Sequence, residues 1–280
     1  MQLKHILTWW ESLPHWATLS VGSMEQYQIL LTQAVAELGP DRDVEEIRAP
    51  EADILYASLK ESKSEHKAVS VCRVCRAVWN LMIRYELATI NPFEKMGLGQ
   101  TAARAQLWTD ENLQDFIAAS STRGLPSMGL LALLCWTLAQ RPGDMAELKW
   151  EDYRDHAMWF TQRKTKKPMG IKVPHDLAYE LDGITRLGPH IITREDIRKP
   201  YSEPARHQIF CEVRRLALLP DTLQMRDLRR TGTTAMADAG ATDAEMQAVN
   251  GISTRQLLNT YQRTSLRQTE NAMKKRFGKK

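Results

Sequence analysis

The chain has 280 residues, 43% of them hydrophobic, enough for a core of ordinary size in one large domain or two modest ones. Its formal charge is only +4 and unevenly placed: residues 1–100 carry 10 Lys/Arg against 13 Asp/Glu, and residues 101–280 carry 28 against 21, so the second half is the one suited to anions. The longest apolar stretch, Met128 to Ala139, is well short of the roughly 20 residues that span a bilayer, and four cysteines outline no disulfide framework, which excludes a membrane-spanning helix and a disulfide-stapled secreted scaffold.

In chain order, the start lacks the long apolar stretch of a signal peptide, and Trp9, Trp10 and Trp16 point to a packed leading helix. Gln26 to Leu38 reads as an amphipathic helix stopped by Gly39-Pro40, and Glu51 to Lys60 as a second helix after Pro50. Over residues 68–87, Val71, Cys75, Val78, Met82 and Tyr85 recur at spacings of three and four and form one apolar stripe. Arg73, Arg76, Asn80 and Arg84 lie on another face, suited to a phosphate backbone or simply to solvent. Cys72 and Cys75 form a C-x-x-C with no second pair at zinc-finger distance, so they are read as small buried side chains. Asn91-Pro92 ends the helical region, and the small, polar segment from Gly97 to Ala103 is the best linker in the chain.

The second half opens with Thr109 as a helix start before Leu113, Phe116 and Ile117. Met128 to Leu138 is apolar all round and predicts a buried helix. Arg141-Pro142-Gly143-Asp144 interrupts it, and a further helix is expected up to Trp150. Ala157 to Thr161 and Gly170 to Val173 read as strands joined by a basic loop, Lys164 to Met169. After Pro174 the pattern is helical to the end, where five of the last seven residues are Lys or Arg.

Three separated segments match one family. Residues Leu138 to Asp152 hold Arg141, then Asp144 three residues later, then Leu148-Lys149-Trp150-Glu151-Asp152; this resembles the first arginine motif of tyrosine recombinases. Arg226-Asp227-Leu228-Arg229 resembles the family's H-x-x-R. Asn250-Gly251-Ile252 followed by Tyr261 resembles its G-H motif with the nucleophilic tyrosine nine residues on. Gln162-Arg163-Lys164-Thr165 lies in the hairpin where the family keeps a catalytic lysine, and Asn91-Pro92-Phe93 is similar to the end of its helical core-binding domain. Each piece alone is weak; the order of all of them carries the resemblance, which spans residues 20–265.

The resemblance implies a mostly α fold with a small β-hairpin: a helical, SAM-like core-type DNA-binding domain over residues 1–96, a linker over 97–105 and a catalytic domain over 106–280. It implies a site-specific recombinase that cuts and rejoins double-stranded DNA. Arg141 and Arg229 would grip the phosphate, since a guanidinium offers a planar fork of donors and stays charged. Tyr261 would attack phosphorus and form a 3′-phosphotyrosyl link, and because the bond energy is kept for rejoining, no nucleotide cofactor or metal is called for. Lys164 would protonate the leaving 5′-oxygen, with Lys166 the next choice. Asp144 would brace an arginine, and Arg73, Arg76, Arg84, Lys166 and Lys167 would touch DNA.

Two positions depart from the family. Arg226 stands where most members have His; it cannot act as a general base but can donate to phosphate, and some phage integrases share this R-D-L-R-R-T segment. Ile252 stands where the family has a His or Trp hydrogen-bond donor, and the loss of such a donor costs on the order of 100-fold in rate. The alternative is therefore a DNA-binding relative with weakened catalysis. A type IB topoisomerase shares the chemistry, but the Asn91 to Phe93 and Arg226 to Arg229 segments resemble integrases. The remaining implications are a homotetramer on DNA that exchanges C-terminal tails, DNA-bending accessory proteins, no membrane, a cytoplasmic setting, and core-site binding without a separate arm-binding domain.

Overall fold

The computed structural model describes residues 1–99, 104–254, 258 and 265–278. The chain divides into two compact units, Met1–Ala102 and Ala103–Lys280.

The first unit is helical: α1 (Ile6–Glu11), α2 (Val21–Leu38), α3 (Ala49–Ser62) and α4 (Glu65–Arg84). Ser20 and Ser64 cap α2 and α4 by accepting from the Ser23 and Lys67 backbone N–H groups, donors that a helix start otherwise leaves unbonded. The stripe Val71, Cys75, Val78 and Met82 is buried and packs α4 against α2 and α3. Tyr85, expected on that stripe, falls just past the helix; it is exposed and meets Trp9 edge-on. Trp10 stacks on Tyr27 and touches Trp16, so the leading segment closes the core. Cys72 and Cys75 are fully buried; burial pushes the Cys72 thiol up to about 11 and the Cys75 thiol up as well, away from reactive thiolate.

In the second unit, α5 (Asp110–Thr122) and α6 (Pro126–Thr137) are joined by a short turn and pack on each other. Thr109 caps α5 by accepting from Asn112 N–H at 3.1 Å. Then come α7 (Pro142–Ala146), α8 (His175–Asp182), α9 (Glu203–Leu216), α10 (Met225–Asp238), α11 (Asp243–Asn250) and α12 (Leu266–Phe277). α10 lies against α6, and α9 against α5 and α6. Gly232 makes the α10–α6 approach possible: a Cβ there would collide with the Trp136 carbonyl oxygen. The sheet is antiparallel in the order β1 (Tyr153–Arg154), β2 (Ala157–Thr161), β3 (Pro168–Lys172), with Trp159 opposite Gly170. α12 docks on its own chain, Gln268 Nε2 donating to Asp238 Oδ1 at 2.8 Å and Asn271 Nδ2 to Asp238 O at 2.6 Å. No helix among the described residues is long and apolar enough to cross a membrane.

Three further expectations are corrected. The second strand, expected over Gly170 to Val173, runs Pro168–Lys172, so Pro168 and Met169, expected in the loop, pair with Thr161 and Phe160. The helix predicted to reach Trp150 stops at Ala146, because residues 148–150 extend to pair with the 189–191 segment: Trp150 N–H donates to Pro189 O and Ile191 N–H to Leu148 O, both at 2.9 Å. The run after Pro174 is not helical throughout. Residues 183–202 form an irregular connection held by isolated bridges, Lys149 to His190 and Thr193 to Pro200.

Candidate active site

The chain leaves α6 through Ala139, at φ +49°, and turns extended at Arg141, which becomes the N-cap of α7. This break brings Arg141 out of a buried helix while keeping it against the core; its side chain is 26% exposed. Arg141 Nη1 lies 3.7 Å from Asp144 Oδ2 and donates to Gln162 Oε1 at 3.3 Å. Asp144 is buried, and its Oδ1 accepts the Arg163 backbone N–H at 2.9 Å. One carboxylate thus lies between the arginine and the start of the β2–β3 turn.

That turn is closed by its own backbone. Gln162 N–H donates to Lys167 O, and Lys166 N–H to Gln162 O, both at 2.8 Å, with Lys166 at φ +54°. Lys164 and Lys166 stand exposed on the turn and Lys167 is half-buried. Gln162 itself is wholly buried. Its Nε2 donates to Gln140 Oε1 at 2.9 Å and to Asn250 O at 3.0 Å; its Oε1 accepts from Thr165 Oγ1 at 2.6 Å as well as from Arg141. Gly251, at φ +74°, must lack a side chain, since a Cβ there would come within 2.5 Å of Gln162 Nε2.

Arg229 enters from α10 and is 2% exposed. Its Nη2 donates at 2.8 Å to Asn250 O, the same carbonyl that Gln162 bonds. A buried cation is tolerated only when paired or hydrogen-bonded, and the Asn250 carbonyl is one such partner. The start of α10 is anchored by Asp227. Its carboxylate accepts from Gln224 N–H, from Arg230, and from Arg104 through two bonds of 3.1 and 2.8 Å. The Asp227 hydrogen bond holds the Arg104 guanidinium above its usual value. Trp108 N–H donates to Thr231 Oγ1 at 3.0 Å, so residues 104–108 strap this helix.

Arg226 is exposed in the first turn of α10, where the helix dipole disfavours a cation. It lines a cleft with Pro142, Arg206, His207 and Arg214, beside the residue that follows Arg141. Glu203 and Asp221 line the cleft too, so its charge is mixed.

Ile252 is not turned toward the arginines. Its side chain is 6% exposed and packs with Ala237, Met246 and Leu258, while its N–H donates to Asn250 Oδ1 at 2.9 Å. The position where the resemblance expects a donor is thus a core position. Tyr261 lies outside the described residues.

In the first unit, Arg73 and Arg84 are exposed on α4, but Arg76 is not a free surface cation. Its Nε donates to Phe93 O at 2.7 Å and its Nη2 to Met96 O at 3.1 Å, tethering the segment after α4. Asn80, on the same face, accepts from Asn91 Nδ2 at 2.7 Å.

Reading of the motifs missed Gln140, Gln162 and Asn250 as parts of the site. Gln162 precedes the expected lysine by two residues and Asn250 precedes Gly251, so proximity to motif positions was the only signal; their mutual bonds cross distant segments.

Across nearly the whole chain the fold is that of the solved lambda and Tn1549 integrase structures. A lambda integrase (75-356) dimer bound to a COC′ core site superposes with a TM-score of 0.83 at 18% identity, over 94% of this chain and 96% of that one. A lambda integrase tetramer bound to a Holliday junction gives 0.79 at 19% identity, over 91% and 78%. The Tn1549 transposon integrase in complex with circular intermediate DNA gives 0.78 at 12% identity, over 98% and 99%. No family model matches the sequence, and neither does any curated protein.

Proposed function

We propose that the chain is a site-specific DNA recombinase of the phage-integrase type, cleaving and rejoining duplex DNA through a 3′-phosphotyrosyl bond to Tyr261. The observation that carries this reading is the bonded cluster in which Arg141, Asp144, Arg229 and the turn bearing Lys164 meet around Gln162 and Asn250 O. Two guanidiniums beside one another bind the phosphate and stabilise the charge that grows on its oxygens during attack. The Tyr261 phenol gives up its proton to solvent and its oxygen bonds to phosphorus, the bond to the 5′-oxygen breaks with its electron pair, and Lys164 supplies that oxygen with a proton. Arg226 contributes a further phosphate contact. The DNA-bound dimer and the Holliday-junction tetramer among the similar structures support duplex DNA as the partner and a tetramer as the working assembly. Tail exchange in that tetramer would pass the α12 bonds at Asp238 from one chain to another. The rival reading, a DNA-binding relative with weakened turnover, rests on Ile252 alone.

The test is incubation with a library of nicked duplexes of randomised sequence, followed by denaturation and recovery of DNA covalently joined to protein. The expected result is an adduct whose peptide maps to Tyr261. DNA binding without any adduct would return the chain to the rival reading.

A further inference from the structure

The Gln162 side chain is the only one among the described residues bonded both to Arg141 and to the carbonyl that holds Arg229. It also accepts from Thr165 Oγ1 at 2.6 Å, and its own backbone closes the turn on both sides, at Lys167 O and Lys166 N. Lys164 therefore sits inside a loop of bonds that all begin at one buried residue. The amide is fully used: Oε1 takes Arg141 and Thr165, and Nε2 supplies Gln140 Oε1 and Asn250 O. A primary amide has two acceptor lone pairs and two donor hydrogens, so this set saturates it. Neither a carboxylate nor an apolar side chain reproduces that pattern. The backbone around it is shaped to match, since Gly251 has room for no side chain against Gln162 Nε2.

We propose that Gln162 is a positioning residue that holds the turn carrying Lys164 in register with Arg141 and Arg229, so that the proton donor and the phosphate-binding groups address the same phosphodiester. The proposal rests on the recombinase reading above and adds to it the device that couples the acid to the arginines. Hairpin tips of this kind are otherwise mobile, and a proton donor must stand within hydrogen-bond reach of the leaving oxygen to act. Through Thr165 and the two backbone bonds, Gln162 removes that freedom.

Sulfur substitution in the DNA separates a proton-delivery defect from a general one. A substrate whose leaving 5′-oxygen is replaced by sulfur expels a thiolate, which needs no proton. The full-length chain is compared on oxygen and sulfur versions of the duplex recovered in the adduct experiment, by single-turnover cleavage. The variants are Lys164→Ala, Gln162→Leu and Thr165→Val; Thr165 is exposed, so its variant keeps the fold even if the buried substitution does not. On the oxygen substrate, Lys164→Ala and Gln162→Leu fall by about 100-fold and Thr165→Val by roughly 10-fold. On the sulfur substrate, Lys164→Ala and Thr165→Val return to near the wild-type rate, and Gln162→Leu recovers most of its loss. Equal losses on both substrates for Gln162→Leu and Thr165→Val, with Lys164→Ala rescued, would overturn the proposal and leave the recombinase reading standing. Failure of sulfur to rescue Lys164→Ala would overturn it too. No adduct from the wild-type chain on either substrate would remove the recombinase reading, and this proposal with it.

Discussion

Gln162 and Arg229 donate to the same oxygen, the backbone carbonyl of Asn250, at 3.0 and 2.8 Å. One side chain comes from the hairpin and the other from α10, so a single peptide group fixes where the hairpin stands relative to the buried guanidinium. The Asn250 side chain in turn accepts the Ile252 N–H, which sets the path of the chain just beyond it.

From this shared acceptor follows the first prediction. Arg229→Lys keeps the charge but loses the fork, so one ammonium cannot hold both the carbonyl and a phosphate oxygen in a plane. Single-turnover cleavage should fall by about 100-fold or more, while DNA affinity, read by gel shift, falls by far less. Near-normal cleavage would remove Arg229 from the site.

The nucleophile is tested by Tyr261→Phe, which deletes one oxygen. DNA binding should be unchanged and no denaturant-resistant adduct should form. A persisting adduct would assign the attack to another residue.

Ile252 makes a prediction opposite to the one its motif position invites. Placing His there does not restore a donor, because the side chain enters the cluster of Ala237, Met246 and Leu258. Ile252→His should destabilise the chain by about 1–3 kcal/mol in denaturant unfolding and should not speed cleavage. A faster enzyme of unchanged stability would show that the imidazole reaches the phosphate.

On α4 the three arginines separate. Arg73→Glu with Arg84→Glu should weaken DNA binding and reduce the slope of log affinity against log salt by about 1 for each phosphate that an arginine no longer neutralises. Arg76→Ala should leave that slope alone and lower stability by about 1–3 kcal/mol, since its fork bonds Phe93 O and Met96 O. A slope change from Arg76→Ala alone would return it to the DNA face.

Much of this was legible in the sequence, because it depends on local rules. The stripe of α4, the Thr109 cap and the β2–β3 pair all follow from spacing within one short stretch of chain. What the sequence hid depends on partners far away. The helix expected to reach Trp150 ends early because residues near His190 offer strand-like pairing. Arg76 reads as a surface cation until its carbonyl partners are seen. At Ile252 the motif resemblance marks a missing donor, but only the fold shows that the side chain lies in apolar packing. The amides of Gln140, Gln162 and Asn250 carry no signature of their own, since amide networks are defined by geometry and not by spacing.

Gly232 has a consequence for how such a site endures. Arg229 lies one turn before it on α10, and Arg141 lies two residues beyond Ala139, whose Cβ would stand 3.3 Å from a side chain at 232. The approach of α10 to α6, the helices that lead to the two arginines, is thus gauged by backbone touching backbone at the Trp136 carbonyl and not by the bulk of intervening side chains. A gauge of that kind makes few demands on the rest of the core, which is free to exchange one apolar residue for another while the spacing holds. It gives this chain a physical route to sharing 18% of its residues with lambda integrase and still superposing on it.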